Sequence, residues 1–306
     1  MERVLENLPR GGRVAVIRLR SLGDCVLTTP ALSLLKQFRS DLKVGIAVEP
    51  RFRDLFEGHP DVDDILIPEV GAIRAFAPKL CVNFHGGTRS ASMTALSGAE
   101  VRAGFAHFSL GISYNEKIPR AQEILRTDRV VHTAEHLASA MFHFGVPRQK
   151  VPRAKLPPYP DGPPSYVKEN IAIIHPMATA KDKTWPAANF VAVAEHFKGA
   201  GITPVFVGGA EDDLSRFSNY RVEKGLPLKD VLKLIASAAV FVGNDSGPAH
   251  IAAAFGVPCI VIFGGSDPAI WGPWRTTGEA LHSPKGINSI SADQVIEAVQ
   301  RLRAIA

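Results

Sequence analysis

Short runs of apolar, often β-branched residues alternate along this chain with longer segments in which apolar positions recur every three or four residues. That alternation predicts βαβ units around a parallel sheet. In the first half, residues 13–19, 43–48, 64–67, 80–84 and 101–105 predict strands, and 24–38, 52–57, 88–97 and 131–144 predict helices. The proline-dense stretch VPRAKLPPYPDGPP, residues 151–164, can neither continue a helix nor enter a central strand, and predicts a stiff linker. The pattern then restarts, with strands expected at 171–174, 204–207, 240–242 and 259–263 and helices at 187–198, 212–217, 228–237, 248–255 and 292–304. Two doubly wound domains follow, residues 1–157 and 158–306, and 306 residues suit two such cores better than one. No internal sequence repeat is visible.

Composition narrows the class. With 46% hydrophobic and 21% charged residues and no periodic Gly or Pro, long disorder and fibrous repeats are excluded. The longest mainly apolar stretch, 251–265, is interrupted by Gly256 and Pro258, short of the roughly 20 residues that span a bilayer. The opening MERVLENLPRGG has no apolar core for a secretory signal, so a cytoplasmic location is expected. Cys25, Cys81 and Cys259 lie far apart among apolar neighbours, as small buried hydrophobes do, and no disulfide is expected. The net charge of +5 is uneven: residues 1–160 hold 22 Lys and Arg against 16 Asp and Glu, the remainder 13 against 14. The basic half should face the more anionic partner, although so small an excess also serves solubility alone.

In open parallel sheets ligands bind beyond the carboxyl ends of the strands, so the chemistry is sought in the loops there, and two sheets in tandem predict a site in the cleft between them. The first strand runs into RLRSLGDCVLTTPAL, where Asp24 stands at a helix start. Asp24 is either an N-terminal cap or a general base held at the mouth of a site. The second domain opens with IAIIHPMATAKDKTWP, which sets Lys181 and Lys183 above the strand ends, either as surface charges or as phosphate ligands. The segment VFVGNDSGPAHIAAAFGVPCIVIFGG reads as strand, tight turn, helix and strand. Ser246 and Gly247 let backbone amides approach a diphosphate at that helix's positive end, while Asp245 and Ser246 are also ordinary capping residues. His250, one turn in, donates to a phosphate or simply packs.

Other chemistries find no motif. GxGxxG is absent after every expected strand, and GxxxxGK[ST] and GxSxG are absent altogether. His132, Glu135 and His136 match the pattern HxxEH, but no third ligand stands out downstream and zinc is not expected. No basic stripe or aromatic platform supports nucleic-acid binding.

Three separated blocks, RLRSLGDCVLTTPAL (18–32), HPMATAKDKTWP (175–186) and GNDSGPAHIAAAFGVPCIVIFGGSDP (243–268), together with VNFHGGTRSA (82–91) and WGPW (271–274), resemble glycosyltransferase family 9, the ADP-heptose:lipopolysaccharide heptosyltransferases and their relatives. The resemblance spans nearly the whole chain in the family's order. It implies an α/β, GT-B fold: two Rossmann-like doubly wound parallel-sheet domains facing a central cleft, the first binding the acceptor and the second the nucleotide-sugar.

By matching position, Asp24 would be the catalytic base, Thr179 and Lys183 would contact donor phosphates, and Glu211 would bind the nucleotide ribose. Asp245, Ser246, Gly247 and His250 match the block at the diphosphate and sugar. Arg18, Arg20, Ser21 and Gly23 would lie against the acceptor. Ala178 stands where relatives often carry a second hydroxyl residue, and Asn83 where an Asp is common.

The resemblance implies inverting transfer of heptose from ADP-heptose to a Kdo or heptose unit of the lipopolysaccharide inner core, without metal or cofactor, by a monomer in peripheral contact with the cytoplasmic face of the inner membrane. Lys183 and the amides at Ser246 and Gly247 would stabilise the departing diphosphate. A different GT-B-like activity, such as a nucleotide-sugar epimerase, and a non-catalytic nucleotide-sugar-binding protein are the competing readings.

Overall fold

Runs such as Val-Ala-Val-Ile and Cys-Ile-Val-Ile-Phe put branched or aromatic side chains on both faces, and such strands are stable only between two apolar layers. The computed structural model, which describes residues 3–157 and 170–305, provides that sandwich twice. The chain divides into two compact units, Met1–Pro158 and Tyr159–Ala306, each built on one six-stranded sheet.

The first unit runs α1 (Val4–Asn7), β1 (Arg13–Ile17), α2 (Leu22–Phe38), β2 (Lys43–Ala47), a 3-10 helix at Pro50–Leu55, β3 (Asp64–Leu66), α3 (Val70–Ala75), β4 (Leu80–Asn83), α4 (Thr88–Ala95), β5 (Val101–Phe105), β6 (Glu116–Ile118), α5 (Ala121–Leu125) and α6 (Thr133–His143). The second runs β7 (Ile171–His175), a 3-10 turn at Lys181–Lys183, α7 (Ala187–Gly199), β8 (Thr203–Gly208), β9 (Arg221–Lys224), α8 (Leu228–Ala236), β10 (Val240–Asn244), α9 (Gly247–Phe255), β11 (Cys259–Phe263), α10 (Pro268–Trp271), β12 (Gly278–His282) and α11 (Ala292–Ile305).

The strand orders are β3-β2-β1-β4-β5-β6 and β9-β8-β7-β10-β11-β12, with every described pairing parallel. This is one doubly wound topology used twice without sequence repetition. The winding reverses between β1 and β4 in the first unit and between β7 and β10 in the second, and at each reversal the loops beyond the strand ends part to leave a crevice.

Alternation within strands assigns the layers. Ala15 and Ile17 of β1 join Ile73, Met93 and Ala99 on one face of the first sheet, while α6 packs on α2. In the second unit, Ile174, Val242, Ile260 and Ile262 meet Phe190, Val193 and Phe197 of α7 and Val295 and Val299 of α11. Burying each such large apolar side chain contributes about 1.5–3 kcal/mol.

Pro30 lies inside α2 and cannot donate to Val26 O. Thr29 Oγ1 donates to that carbonyl instead, at 2.8 Å, so the helix continues past the proline. Thr29 Oγ1 in turn accepts from Lys155 N at 3.0 Å.

The expected linker is therefore partly docked. Residues 151–157 form neither helix nor strand, but Val151, Ala154 and Leu156 are buried and Lys155 O lies 3.2 Å from His59 Nε2. Residues 158–164 of that stretch lie outside the described residues.

Two further expectations change. The helix expected at 52–57 is a 3-10 helix beginning at Pro50, and that at 212–217 shrinks to a 3-10 turn, Ser215–Phe217. There Asp212 folds back to accept from Gly209 N at 2.7 Å, and Asp213 accepts from Ser215 N at 3.0 Å, holding a turn where a helix was expected.

Candidate active site

In the first unit the crevice loops follow β1 and β4. Asp24 is the third residue of α2, and its Oδ2 accepts from Ser21 N at 3.2 Å and Ser21 Oγ at 3.0 Å. Its other oxygen, Oδ1, accepts from Arg18 Nη2, while Arg18 Nη1 donates to Phe84 O at the end of β4. Asp24 thus both caps the helix and sits in an ion pair that ties the two crevice loops together.

Arg18 is buried, while Asp24 keeps 22% side-chain exposure. Among the described residues Arg18 Nε has no partner. Arg20 and Ser21 are exposed and Gly23 is buried beneath them.

The loop after β4 adds Asn83, which the sequence marked as a departure, and His85, which it did not single out. Asn83 is fully buried, with Oδ1 accepting from His85 N at 2.9 Å and Gly86 N at 3.1 Å and Nδ2 donating to Ser90 Oγ and Tyr114 Oη. An amide meets all four partners without burying a charge, which accounts for Asn at this position. His85 faces Arg18, Arg20 and Asp24; burial first, then the two arginines, lower its pKa.

In the second unit three loops converge on the crevice. Lys183 Nζ donates to Asp245 Oδ2 at 3.1 Å, and Ser266 Oγ donates to the same oxygen. Asn244 Oδ1 accepts from Trp185 N at 3.1 Å and its Nδ2 donates to Pro176 O at 2.8 Å, so one buried amide holds both ends of the 176–185 loop. Trp185 is itself anchored by Nε1 donating to Ile290 O at 2.8 Å. Gly264 completes the fit: a Cβ there would lie 1.8 Å from Asp182 O, so only glycine lets the loop after β11 reach the Lys181–Lys183 turn.

Ser246 is the N-cap of α9 but caps nothing with its side chain. Its hydroxyl lies 3.1 Å from both Asn244 O and His175 Nδ1. Having one proton to give, it donates to the carbonyl and receives the Nδ1 proton of His175. Burial pushes His175 down to about 4, so this imidazole is neutral at pH 7.

Pro248, second in the helix, has no N–H, and Ala249 N donates to Ser246 O at 3.2 Å. The Ser246 and Gly247 amides have no acceptor among the described residues. Two free amides at a helix N-terminus with a lysine beside them form an anion site. Asp245, a carboxylate, suits sugar hydroxyls or the orientation of Lys183 rather than phosphate itself.

His250 is buried in α9, and Gly256, at φ +77°, ends that helix. Thr179 and Glu211 are exposed on the loops after β7 and β8, where Asp212 is occupied with Gly209 N and Glu211 is not.

The HxxEH pattern disperses into separate roles. His132 Nδ1 accepts from Ala134 N as the cap of α6, Glu135 pairs with Arg129, and His136 stacks on Phe105. Among the described residues no three His, Cys, Asp or Glu side chains are placed to hold a metal. Cys25, Cys81 and Cys259 are free and buried, and burial pushes the first two thiols up to about 12.

Comparison with known proteins agrees with this architecture. Residues 72–295 match the model of glycosyltransferase family 9 (heptosyltransferase). Lipopolysaccharide heptosyltransferase 3 of Escherichia coli is 26% identical over 294 residues, covering 84% of each chain. The glycosyltransferase family 9 structure from Veillonella parvula DSM 2008 superposes with a TM-score of 0.85 at 20% identity, covering 98% of this chain and 100% of that one. Escherichia coli heptosyltransferase WaaC with ADP-2-deoxy-2-fluoro heptose gives 0.75 at 21%, covering 94% and 99%. Two doubly wound units of GT-B type and a family match over most of the chain lead to one conclusion: this chain belongs to glycosyltransferase family 9 and is a glycosyltransferase.

Proposed function

We propose that the chain transfers heptose from ADP-heptose to an anionic sugar, Kdo or heptose, of the lipopolysaccharide inner core. The names of its relatives support the product class, and the nucleotide-sugar bound to the WaaC neighbour supports the donor. Carrying the reading is the unspent anion site of the second unit, Lys183 with the Ser246 and Gly247 amides; the first unit, taken by itself, holds the Asp24 carboxylate at its own switch point.

In this reading Asp24 accepts the proton of the acceptor hydroxyl as its oxygen attacks the anomeric carbon. The bond to the diphosphate breaks on the opposite face, and its electron pair leaves with ADP, inverting the centre. Arg18 holds the carboxylate in place, and Arg20, Ser21 and Gly23 border the acceptor. Lys183 and the two amides stabilise the negative charge growing on the diphosphate, a class of contact whose loss costs on the order of 10²–10³ in rate. Thr179 adds a phosphate contact, Glu211 takes the ribose hydroxyls, and Asp245 and His250 border the sugar.

No described helix is long and apolar enough to cross a membrane. We assign the enzyme a peripheral position at the cytoplasmic face of the inner membrane, where a basic first unit meets an anionic glycolipid. Calorimetry with ADP, UDP, GDP and their sugar conjugates, in the presence of EDTA, tests the donor. Tightest binding of ADP and ADP-heptose is expected; preference for another nucleotide discards heptose, and binding of none discards the donor site.

A further inference from the structure

The positive charge of the chain is concentrated in one stretch of the first unit. Residues 120–157 hold seven Lys and Arg against three Asp and Glu, which is four of the chain's five net positive charges, and residues 136–157 contain no acid at all. Of the three acids, Glu135 is neutralised by Arg129 at 2.6 Å.

The fold turns this charge into a surface. Beyond α6 the apolar side chains of the docked linker segment, Val151, Ala154 and Leu156, point inward and are buried, while Arg148, Lys150, Arg153 and Lys155 stay exposed. The backbone beneath them is fixed. Lys155 N donates to Thr29 Oγ1 at 3.0 Å; His59 Nδ1 accepts from Asp61 N at 3.1 Å, so the His59 proton sits on Nε2 and is donated to Lys155 O at 3.2 Å. Arg148 reaches back and donates to Ile124 O and Leu125 O at the end of α5. It shares a hollow of about 200 Å³ with Arg126, Glu123 and His143, so the basic strip continues from the linker to the turn after α5.

Little of this charge is spent. Among the described residues Arg126, Lys150 and Arg153 join no ion pair, and Lys155 Nζ stands 3.9 Å from Asp61. Phe142 and Phe144, the only Phe, Tyr or Trp of the stretch, are buried, so no ring is offered for stacking on a base. Exposed cations on a fixed backbone, without acids or stacking rings, suit the anionic headgroup layer of a membrane rather than a nucleic acid.

We propose that Arg126, Arg148, Lys150 and Arg153 form a strip that docks the enzyme on an anionic lipid surface, the bilayer that carries its acceptor. The inference rests on the glycolipid reading of the acceptor for its partner. Thr29, which holds the linker, follows Asp24 by five residues in α2, roughly 7.5 Å along the helix axis. The docked linker is thereby fastened to the same helix that presents the base.

Vesicle co-sedimentation of the full chain tests it. Wild type should bind vesicles of equal parts phosphatidylglycerol and phosphatidylethanolamine and not phosphatidylcholine alone. Binding should fall as salt rises, because exposed charges are screened beyond about 8 Å at physiological ionic strength. Each cation at an anionic surface contributes about fivefold, so the triple variant Arg126→Gln, Lys150→Gln, Arg153→Gln should bind on the order of a hundredfold more weakly. The triple variant Lys198→Gln, Lys229→Gln, Lys285→Gln removes the same charge from exposed positions of the second unit and should bind as wild type does. The charge-retaining pair Lys150→Arg, Arg153→Lys should also bind fully. Equal loss in the two triple variants, no loss in the first, or tighter binding of a single-stranded polynucleotide than of the vesicles overturns the strip.

Turnover separates failure of the strip from failure of the transferase reading. The first triple variant should transfer to a soluble, deacylated acceptor at the wild-type rate and lose rate only when the acceptor is embedded in vesicles. Charge-dependent vesicle binding by a protein that transfers nothing would retain the strip and discard the activity; transfer in vesicles unaffected by the triple variant would discard the strip and retain the activity.

Discussion

Lys183 and Asp245 are 62 positions apart in the chain, yet Lys183 Nζ donates to Asp245 Oδ2 at 3.1 Å. The contact exists because β7 and β10 are adjacent and their loops leave the sheet at the switch point. A lysine half-neutralised by a carboxylate is oriented rather than spent, since its ammonium has two further protons for diphosphate oxygens. Lys183→Ala should weaken ADP-heptose binding by about 1.5–3 kcal/mol, roughly tenfold to a hundredfold, with little change in thermal stability. Calorimetric titration checks this, and unchanged donor affinity would remove Lys183 from the site.

Asn244 has a positioning role. Asn244→Ala leaves Trp185 N without an acceptor and Pro176 O without a donor, both in the interior. Each unsatisfied group costs about 1–3 kcal/mol, so urea unfolding should show a loss on the order of 3 kcal/mol. ADP binding should weaken with it, because the loop that carries Lys183 loses both anchors. Retained stability and affinity would show that Trp185 Nε1 and Ile290 hold the loop alone.

Acid should destabilise the protein through its buried imidazoles. His175 has a folded pKa of about 4 against an ordinary 6.5, so between these values the unfolded chain binds a proton that the native state refuses. Its contribution is complete above pH 6.5 and is lost as the pH falls towards 4, and 2.5 units amount to about 3 kcal/mol. His136, lowered to about 4 by burial first, adds to the same slope. Stability measured from pH 7.5 to 4 should fall less steeply in His175→Gln than in wild type; equal slopes would contradict the assignment.

The sequence was most legible where burial is two-sided. Among the inner strands, β1, β4, β7, β8, β10 and β11 are the most apolar and buried runs, and the alternation located each of them, as it did β2 and β5. The edge strands β6, β9 and β12, with sequences EKI, RVEK and GEALH, escaped notice because one side faces water and their composition is that of loops. The four helices of four to six residues, α1, α3, α5 and α10, are too short to show a period.

At the site, Asp24, Ser246 and Gly247 were legible from the strand–turn–helix context. Asn244, Ser266 and His85 were not. Their partners are distant in the chain, and only the strand order brings them together. Asn244 did stand inside the NDSG turn, but nothing local distinguishes a turn asparagine from one that reaches Pro176 and Trp185.

The most direct test of the whole account is the transfer of heptose from ADP-heptose to a Kdo-bearing acceptor by wild type and Asp24→Asn, with donor affinity measured on the same preparations. Asparagine retains an acceptor oxygen for the helix cap but cannot take a proton. Transfer by the wild type is expected, with a fall by a factor on the order of 10²–10⁴ in the variant and unchanged ADP-heptose binding. Full turnover by Asp24→Asn would contradict its role as base and leave Asp24 as no more than the cap of α2.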